Sequence, residues 1–66
     1  MNENTTRKWL KDLRLSKGMT QQEVANKGGF ARTYYTMVEN SVRTPSVKMA
    51  KDIGGALDFD WTKFFE

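Results

Sequence analysis

A glycine pair, Gly28-Gly29, separates two short segments whose apolar residues recur at helical spacing. The first segment opens with the pattern of a capping box, because the Thr20 hydroxyl can accept from the Glu23 amide while the Glu23 carboxylate reaches back. The second segment runs from Arg32 to Asn40. The helix predicted before the glycine pair has only about seven residues and is too short to be stable alone. It must therefore be held by packing against the rest of the chain.

An amphipathic segment precedes this pair. A threonine, Thr5 or Thr6, is placed to cap its N-terminus, and Gly18 can adopt the left-handed conformation that ends a helix. We therefore expect the first helix over residues 7–17. Its apolar face consists of Leu10 and Leu13.

Two further segments follow the glycine-linked pair. Pro45 and Ser46 are typical of a helix start, and apolar residues continue at helical spacing down to Leu57. Asp60 can cap a last short turn over residues 61–65, which counts as the fifth helix. No segment alternates with period two, so no sheet is expected. The sequence therefore predicts an all-α fold, a compact five-helix bundle.

The length of the chain limits it to one small domain. A chain of 66 residues buries only about 60% of the surface that its unfolded form exposes, which leaves room for one modest core. We expect residues 6–66 to form a single domain and the polar residues 1–5 to be a flexible leader. No apolar run approaches the ~20 residues of a membrane span. Because no secretory signal is found either, we expect a cytoplasmic protein with no membrane partner.

Composition excludes most catalytic chemistry. The chain has no His and no Cys, so it lacks the commonest metal ligand, the usual proton shuttle at neutral pH and any thiolate. We expect no metal, no cofactor, no small-molecule ligand and no enzymatic activity. The net charge is +3, divided as +4 on residues 1–43 and −1 on residues 44–66. This asymmetry favours a polyanionic partner, although an ordinary solvated surface can have the same charge.

The spacing of the glycine-linked pair meets the steric requirements of a helix-turn-helix. Two crossing helices need a small side chain where they touch, and Ala25 stands there. Gly29 can supply the positive φ of the turn, and Phe30 can fix the turn to the core. The inward-facing residues of the two helices are Val24, Tyr35 and Val38.

These segments also carry a resemblance to a known family. The matching motifs are TQQEVA (Thr20–Ala25), GFART (Gly29–Thr33), VEN (Val38–Asn40), RTPSV (Arg43–Val47) and Ala56-Leu57. In these motifs the chain resembles the phage-repressor family of helix-turn-helix proteins, also called the Cro-like or xenobiotic-response-element type. The resemblance implies a lambda-repressor-like DNA-binding domain. It further implies a homodimer that binds double-stranded DNA at a near-palindromic operator and acts as a transcriptional repressor.

Four residues, at three sites, depart from the family pattern. Gly28 stands where an apolar core residue is usual, Ser41 where a glycine follows the third helix, and Gly54-Gly55 within the fourth helix. An interior glycine costs about 1 kcal/mol relative to alanine. We therefore expect a domain of modest stability.

The resemblance implies that the third helix enters the major groove and that its outer face reads bases. Arg32 stands at the N-terminal end of that helix, where a guanidinium can donate two hydrogen bonds to a guanine. Thr33, Thr36 and Met37 share this face and can offer methyl groups to thymine. The alternative for each is plain helix surface, and for Arg32 also a phosphate contact.

A second set of residues is expected on the phosphate backbone. Family members place a Gln amide against a phosphate at the start of the second helix, where the helix N-terminus also favours an anion; Gln21 and then Gln22 are the candidates. Tyr34 can donate its hydroxyl to a phosphate from one flank. The cations Arg43 and Lys48 can neutralise others. Each of the five has ordinary surface or packing as its alternative.

The resemblance implies a structural ion pair as well. In this family an arginine of the first helix pairs with a glutamate of the third, and Arg14 and Glu39 stand at those positions. Losing one partner of a buried pair costs about 3–5 kcal/mol, because the other is left as an uncompensated charge.

The aromatic residues near the C-terminus exceed what so small a core absorbs easily. We expect a dimer interface at Trp61, Phe64 and Phe65, with packing inside the monomer as the alternative. Trp9 and Leu15, which fall outside the leucine stripe of the first helix, are the next candidates. The surplus aromatics and the interior glycines also favour an alternative function, a protein-interaction module on the same fold that acts as an antitoxin-like or antirepressor partner.

Overall fold

The computed structural model describes residues 6–66, which form four α-helices and a closing turn of 3-10 helix. No strand occurs in this range, and the all-α prediction is confirmed. The predicted leader, residues 1–5, lies outside the described residues. The elements are α1 (Lys8–Ser16), α2 (Gln21–Gly28), α3 (Arg32–Glu39), α4 (Val47–Leu57) and the 3-10 segment (Trp61–Phe65).

The prediction of a fifth α-helix is wrong. The Lys63 amide donates to the Asp60 carbonyl at 3.1 Å, the i to i−3 bond of a 3-10 helix. The Asp60 carboxylate accepts from the Thr62 amide at 3.0 Å and from its hydroxyl at 2.8 Å. This cap tightens a segment of five residues that is too short to build an α-helical hydrogen-bond ladder.

The ends of α2 form as the sequence predicts. The Thr20 hydroxyl accepts from the Glu23 amide at 3.1 Å, and the Glu23 carboxylate accepts from the Thr20 amide at 2.8 Å. Both halves of the capping box are therefore present. At the other end, Gly29 adopts the left-handed conformation with a φ of 77°.

Helix α1 begins differently from the prediction. Its N-cap residue is Arg7, which makes no side-chain cap, so the predicted cap at Thr6 is wrong; Thr5 lies outside the described residues. The Arg7 backbone amide instead donates to the Glu39 carbonyl at 2.7 Å. The start of α1 is thus tied to the end of α3.

The core lies between α4 and the other helices. Helix α4 packs against α2 and the 3-10 segment, while α3 packs against α2 and α1. None of the helices in residues 6–66 is long and apolar enough to cross a membrane. The buried apolar side chains are Leu10, Val24, Ala25, Tyr35, Val38, Ala50, Ile53, Ala56, Leu57 and Phe64.

Gly54 lets the C-terminal segment approach α4 closely. A Cβ at this position would lie 2.9 Å from the Phe59 carbonyl oxygen and 3.1 Å from the Cβ of Trp61. Gly55 faces open space instead. Only the first of the two glycines is therefore required by packing.

Three rings from the two ends of the chain form an aromatic cluster. Trp9, Phe59 and Phe64 make edge-to-face contacts, with centroids 5.2–5.6 Å apart. The prediction that Phe64 belongs to a dimer interface is corrected, because its ring is packed inside the subunit with 9% of the residue exposed. Phe65 contacts the half-buried Trp61 ring and is 48% exposed.

Candidate nucleic-acid interface

Helices α2 and α3 make up the helix-turn-helix unit. Ala25 is fully buried, and its carbonyl accepts from the Phe30 amide at 3.0 Å. The Phe30 ring stacks on the buried Tyr35 ring, with 6.0 Å between centroids. These contacts confirm the predicted packing of the unit, and they hold α3 at a fixed angle to α2.

The Phe30 ring also explains the glycine at residue 28. A Cβ on Gly28 would overlap the nearest atom of that ring. The position where the family usually has an apolar side chain is therefore filled by the ring of Phe30. No larger residue fits at 28 while the ring stays in place.

The outward side of α3 presents the four predicted base-reading residues unequally. Arg32 and Thr33, in its first turn, are exposed, whereas Thr36 and Met37 are half-buried. The Thr36 hydroxyl lies 2.8 Å from Gln21 Oε1 and 3.0 Å from the Arg32 carbonyl oxygen. Its single proton is thus used within the protein, so towards a base the side chain can offer its methyl group or accept a hydrogen bond, but it cannot donate one.

A buried polar network lies behind this face. Arg14 donates to Glu39 through Nε at 2.9 Å and Nη2 at 3.1 Å, and its Nη1 donates to the Met19 carbonyl at 2.9 Å. Burial alone would raise the pKa of Glu39, but hydrogen bonds from Arg14 and Gln21 outweigh it and hold that pKa below its usual value. The pair therefore stays ionised and anchors α3 to α1.

Gln21 is turned towards α3. Its Nε2 donates to Glu39 Oε1 at 3.0 Å, and its Oε1 accepts from Thr36. The side chain predicted to hold a phosphate is thus engaged inside the protein. The backbone amides of Gln21 and Gln22, in the first turn of α2, have no carbonyl partner within the helix and can donate to an anion.

Arg43 and Tyr34, both predicted on the DNA backbone, are brought together. The Arg43 guanidinium carbon lies over the Tyr34 ring, 5.8 Å from its centroid. Tyr34 is half-buried and Arg43 is exposed. The ring contact therefore places the Arg43 guanidinium beside Tyr34, on the same side of the domain.

The other two predicted backbone contacts occupy exposed helix surface. Gln22 donates to Asn26 Oδ1 at 2.9 Å, and Lys48 forms an ion pair with Asp52 at 2.8 Å. Both are contacts between residues four apart on one helix. Exposed pairs of this kind are worth roughly 0.3–0.5 kcal/mol, so a phosphate can displace them.

Sequence reasoning missed Arg7. Its guanidinium donates to the carbonyls of Val38 and Arg43, so it reaches both the end of α3 and the loop after it. No motif marks this residue, because its partners lie 31 and 36 positions further along the chain. Only its place directly before α1 sets it apart from the other cations.

The comparison with known families agrees with this geometry. The helix-turn-helix family matches residues 10–64. The chain is 60% identical over 60 residues to YqaF of Bacillus subtilis (strain 168), an uncharacterised HTH-type transcriptional regulator. That match covers 91% of this chain and 79% of YqaF.

Solved structures resemble this one closely. The N-terminal DNA-binding domain of SinR from Bacillus subtilis matches with a TM-score of 0.79 and 27% identity, over 89% of this chain and 87% of that one. The restriction-modification controller protein C.Esp1396I, bound to a 25 base pair operator site, matches with a TM-score of 0.71 and 36% identity, over 85% and 74%. The chain belongs to the Cro/C1-type helix-turn-helix family, a class of DNA-binding transcriptional regulators rather than of enzymes.

Proposed function

We propose that this protein binds double-stranded DNA sequence-specifically and represses transcription by occupying an operator as a homodimer. The exposed first turn of α3 carries the proposal. Arg32 and Thr33 stand there, one turn away from the hydrogen bond between Thr36 and Gln21 that joins α3 to the start of α2. Base-reading groups and free helix amides are therefore on neighbouring elements, as docking into a major groove requires. The proposal places the protein in the cytoplasm.

Within this proposal, Arg32 is the main reader. Its guanidinium donates to N7 and O6 of a guanine, and Thr33 contacts the neighbouring base. Thr36 and Met37 supply apolar contacts to thymine methyl groups. Thr36 cannot donate to a base, because its hydroxyl proton is already engaged.

The phosphate contacts flank the readers. The first-turn amides of α2, at Gln21 and Gln22, hold one phosphate. Arg43 holds another, together with the Tyr34 hydroxyl on the same flank. Lys48 adds a more distant neutralising charge.

A second copy is proposed because of the size of the operator. The 25 base pairs bound by C.Esp1396I are about 85 Å long at ~3.4 Å per base pair. The longest dimension of this chain is 34 Å, so one copy covers less than half of such a site. Two copies related by a two-fold axis would read a near-palindromic operator, and we propose that Trp61 and Phe65 join them.

Selection from a random duplex library tests this function. Bound sequences should converge on a near-palindromic motif, and the affinity for that motif should fall steeply with salt. With roughly 4–6 phosphates neutralised per subunit, log affinity should change by about −0.9 per phosphate for each decade of salt. Failure to shift any duplex at low salt, or a flat salt response, would exclude DNA as the partner.

The alternative function, a protein-interaction module, has one observation in its favour. Among residues 6–66, four large apolar side chains are about half exposed or more, and exposed side chains of this kind can contribute to a protein contact. A negative result in the duplex selection would promote this alternative. The four side chains are Leu15, Val42, Val47 and Phe65.

A further inference from the structure

Arg7 joins three parts of the chain. Its backbone amide donates to the Glu39 carbonyl at 2.7 Å. Its Nη1 atom donates to the carbonyls of Val38 and Arg43, the second at 3.1 Å. The guanidinium also lies over the Phe64 ring, 5.7 Å from the centroid. One residue therefore contacts the end of α3, the loop that follows and the C-terminal segment.

These contacts complete the C-terminal end of α3. The last four carbonyls of an α-helix have no partner within the helix. In α3 the first two of these, the carbonyls of Thr36 and Met37, accept from backbone amides that follow the helix. The last two, those of Val38 and Glu39, accept from Arg7, whose side chain shares the Val38 carbonyl with the Ser41 amide. Arg7 thus supplies the cap, and its positive charge suits a helix C-terminus.

The same guanidinium holds the backbone of Arg43. The Arg43 amide makes a long hydrogen bond of 3.3 Å to the Met37 carbonyl, while its carbonyl accepts from Arg7 at 3.1 Å. The Arg43 side chain lies over the Tyr34 ring. Without Arg7, Arg43 would keep only its long backbone hydrogen bond to Met37 and its contact with the Tyr34 ring.

We propose that Arg7 is a positioning residue for DNA binding, one that fixes the loop from which Arg43 reaches a phosphate. The proposal rests on the DNA-binding function given above. A cation on a fixed backbone loses less freedom when it binds, and phosphate contacts set the register of the protein on the duplex. Lys8 offers the matched comparison, since its ammonium is exposed and paired with Asp12 at 2.8 Å instead.

A thermodynamic cycle tests the link between Arg7 and Arg43. Arg7→Met should weaken binding about tenfold on selected and scrambled duplexes alike. Arg43→Ala should also weaken it about tenfold. The double variant should bind within about twofold of Arg43→Ala alone, because Arg7 acts through Arg43. Lys8→Met, which removes the same charge one residue away, should change affinity by about twofold at most.

Two results of this cycle would overturn the proposal. Losses that multiply to about a hundredfold in the double variant would mean that Arg7 acts independently of Arg43, for instance by contacting a phosphate itself. Equal effects of Arg7→Met and Lys8→Met would mean that only net charge matters. Should Arg7→Met fail to fold, Arg7→Lys takes its place in the same cycle.

Amide hydrogen exchange in the free proteins examines the loop without DNA. The amides of Val42 and Arg43 should exchange about fivefold faster in Arg7→Met than in Lys8→Met, while those of α4 stay unchanged. If the exchange rates of these two loop amides are the same in Arg7→Met and Lys8→Met, the proposal is overturned, whatever the affinities of the variants for DNA. If the wild-type protein binds no duplex, the proposed function fails, and the exchange rates still show whether Arg7 fixes the loop.

Discussion

Arg14 and Glu39 form a buried ion pair that links α1 to α3. Two hydrogen bonds of 2.9 and 3.1 Å join them, and both side chains are nearly withdrawn from solvent. A buried pair adds little net stability compared with apolar residues of similar volume. Its effect here is to fix the position of α3, because a displaced helix would leave both charges buried and unpaired.

Stability should fall in acid, and Glu39 should cause part of the fall. The pKa of Glu39 is lower in the folded protein than its ordinary value of 4.5. Its contribution to the free energy of unfolding is therefore complete above about pH 4.5 and is lost as pH falls through the lower folded pKa. Urea unfolding measured from about pH 7 to about pH 2.5 should show this loss.

An apolar replacement of the pair is the control for that measurement. Arg14→Met combined with Glu39→Leu removes both charges together, so neither is stranded. The free energy of unfolding of this variant should depend less on pH between about 4.5 and 2.5 than that of the wild type. Parallel profiles for the two proteins would show that Glu39 has no part in the acid response.

Arg32 and Arg43 should respond differently to truncation. Arg32→Ala should cost about 1–3 kcal/mol on the selected operator and relax the preference at one base pair, because it removes a base contact. Arg43→Ala should weaken binding to every sequence alike and reduce the salt slope by about 0.9 per subunit, or about 1.8 for the homodimer. Affinities on selected and scrambled duplexes separate the two. Equal losses on both duplexes for Arg32→Ala would identify it as a phosphate contact.

The elements differ in how well the sequence predicts them. The signals that bound α2 are local, since a hydroxyl, a carboxylate three residues later and a glycine at positive φ suffice. The start of α1 depends on the Glu39 carbonyl, and the orientation of Gln21 depends on Thr36 and Glu39. Contacts so distant in sequence have no local pattern, so the sequence predicts neither the start of α1 nor the orientation of the Gln21 side chain.

The two glycines of α4 should respond to alanine with opposite signs. Gly54→Ala places a methyl group 2.9 Å from the Phe59 carbonyl oxygen, so the C-terminal segment must shift and the protein should lose about 1–3 kcal/mol. Gly55→Ala meets open space and should gain up to about 1 kcal/mol from better helix propensity. Thermal and urea unfolding measure both. Stabilisation by Gly54→Ala would contradict the close approach.

At the scale of the whole molecule, some aromatic side chains are buried in the core and others lie at the surface. Composition shows that they are numerous for 66 residues, but it does not show which are buried. Trp9, outside the predicted apolar stripe, joins Phe59 and Phe64 in the cluster. This packing brings the two ends of the described chain together, and no periodicity within one helix predicts it. Phe65 is left half exposed.

Phe65→Glu tests the proposed homodimer. Because Phe65 is 48% exposed, the variant should keep its helical circular dichroism spectrum while sedimentation shifts from dimer to monomer and operator affinity drops. Leu15→Glu, at a residue 54% exposed on α1, is the matched control and should stay dimeric. An unfolded Phe65→Glu variant would assign the ring to the core, and a dimeric one would move the interface elsewhere.

Gly28 and Phe30 share one volume, since the ring of the second occupies the place of a side chain on the first. A change at either residue alone should therefore displace the Phe30 ring or leave its place empty. A larger residue at 28 collides with the ring, whereas a smaller one at 30 leaves a void against Tyr35. Placing a large residue at 28 and a small one at 30 takes two substitutions. The protein with only one of them should be less stable, whichever position changes first. Over evolutionary time, substitutions at residues 28 and 30 should therefore be coupled, because the side chain at each position determines which substitutions the other tolerates.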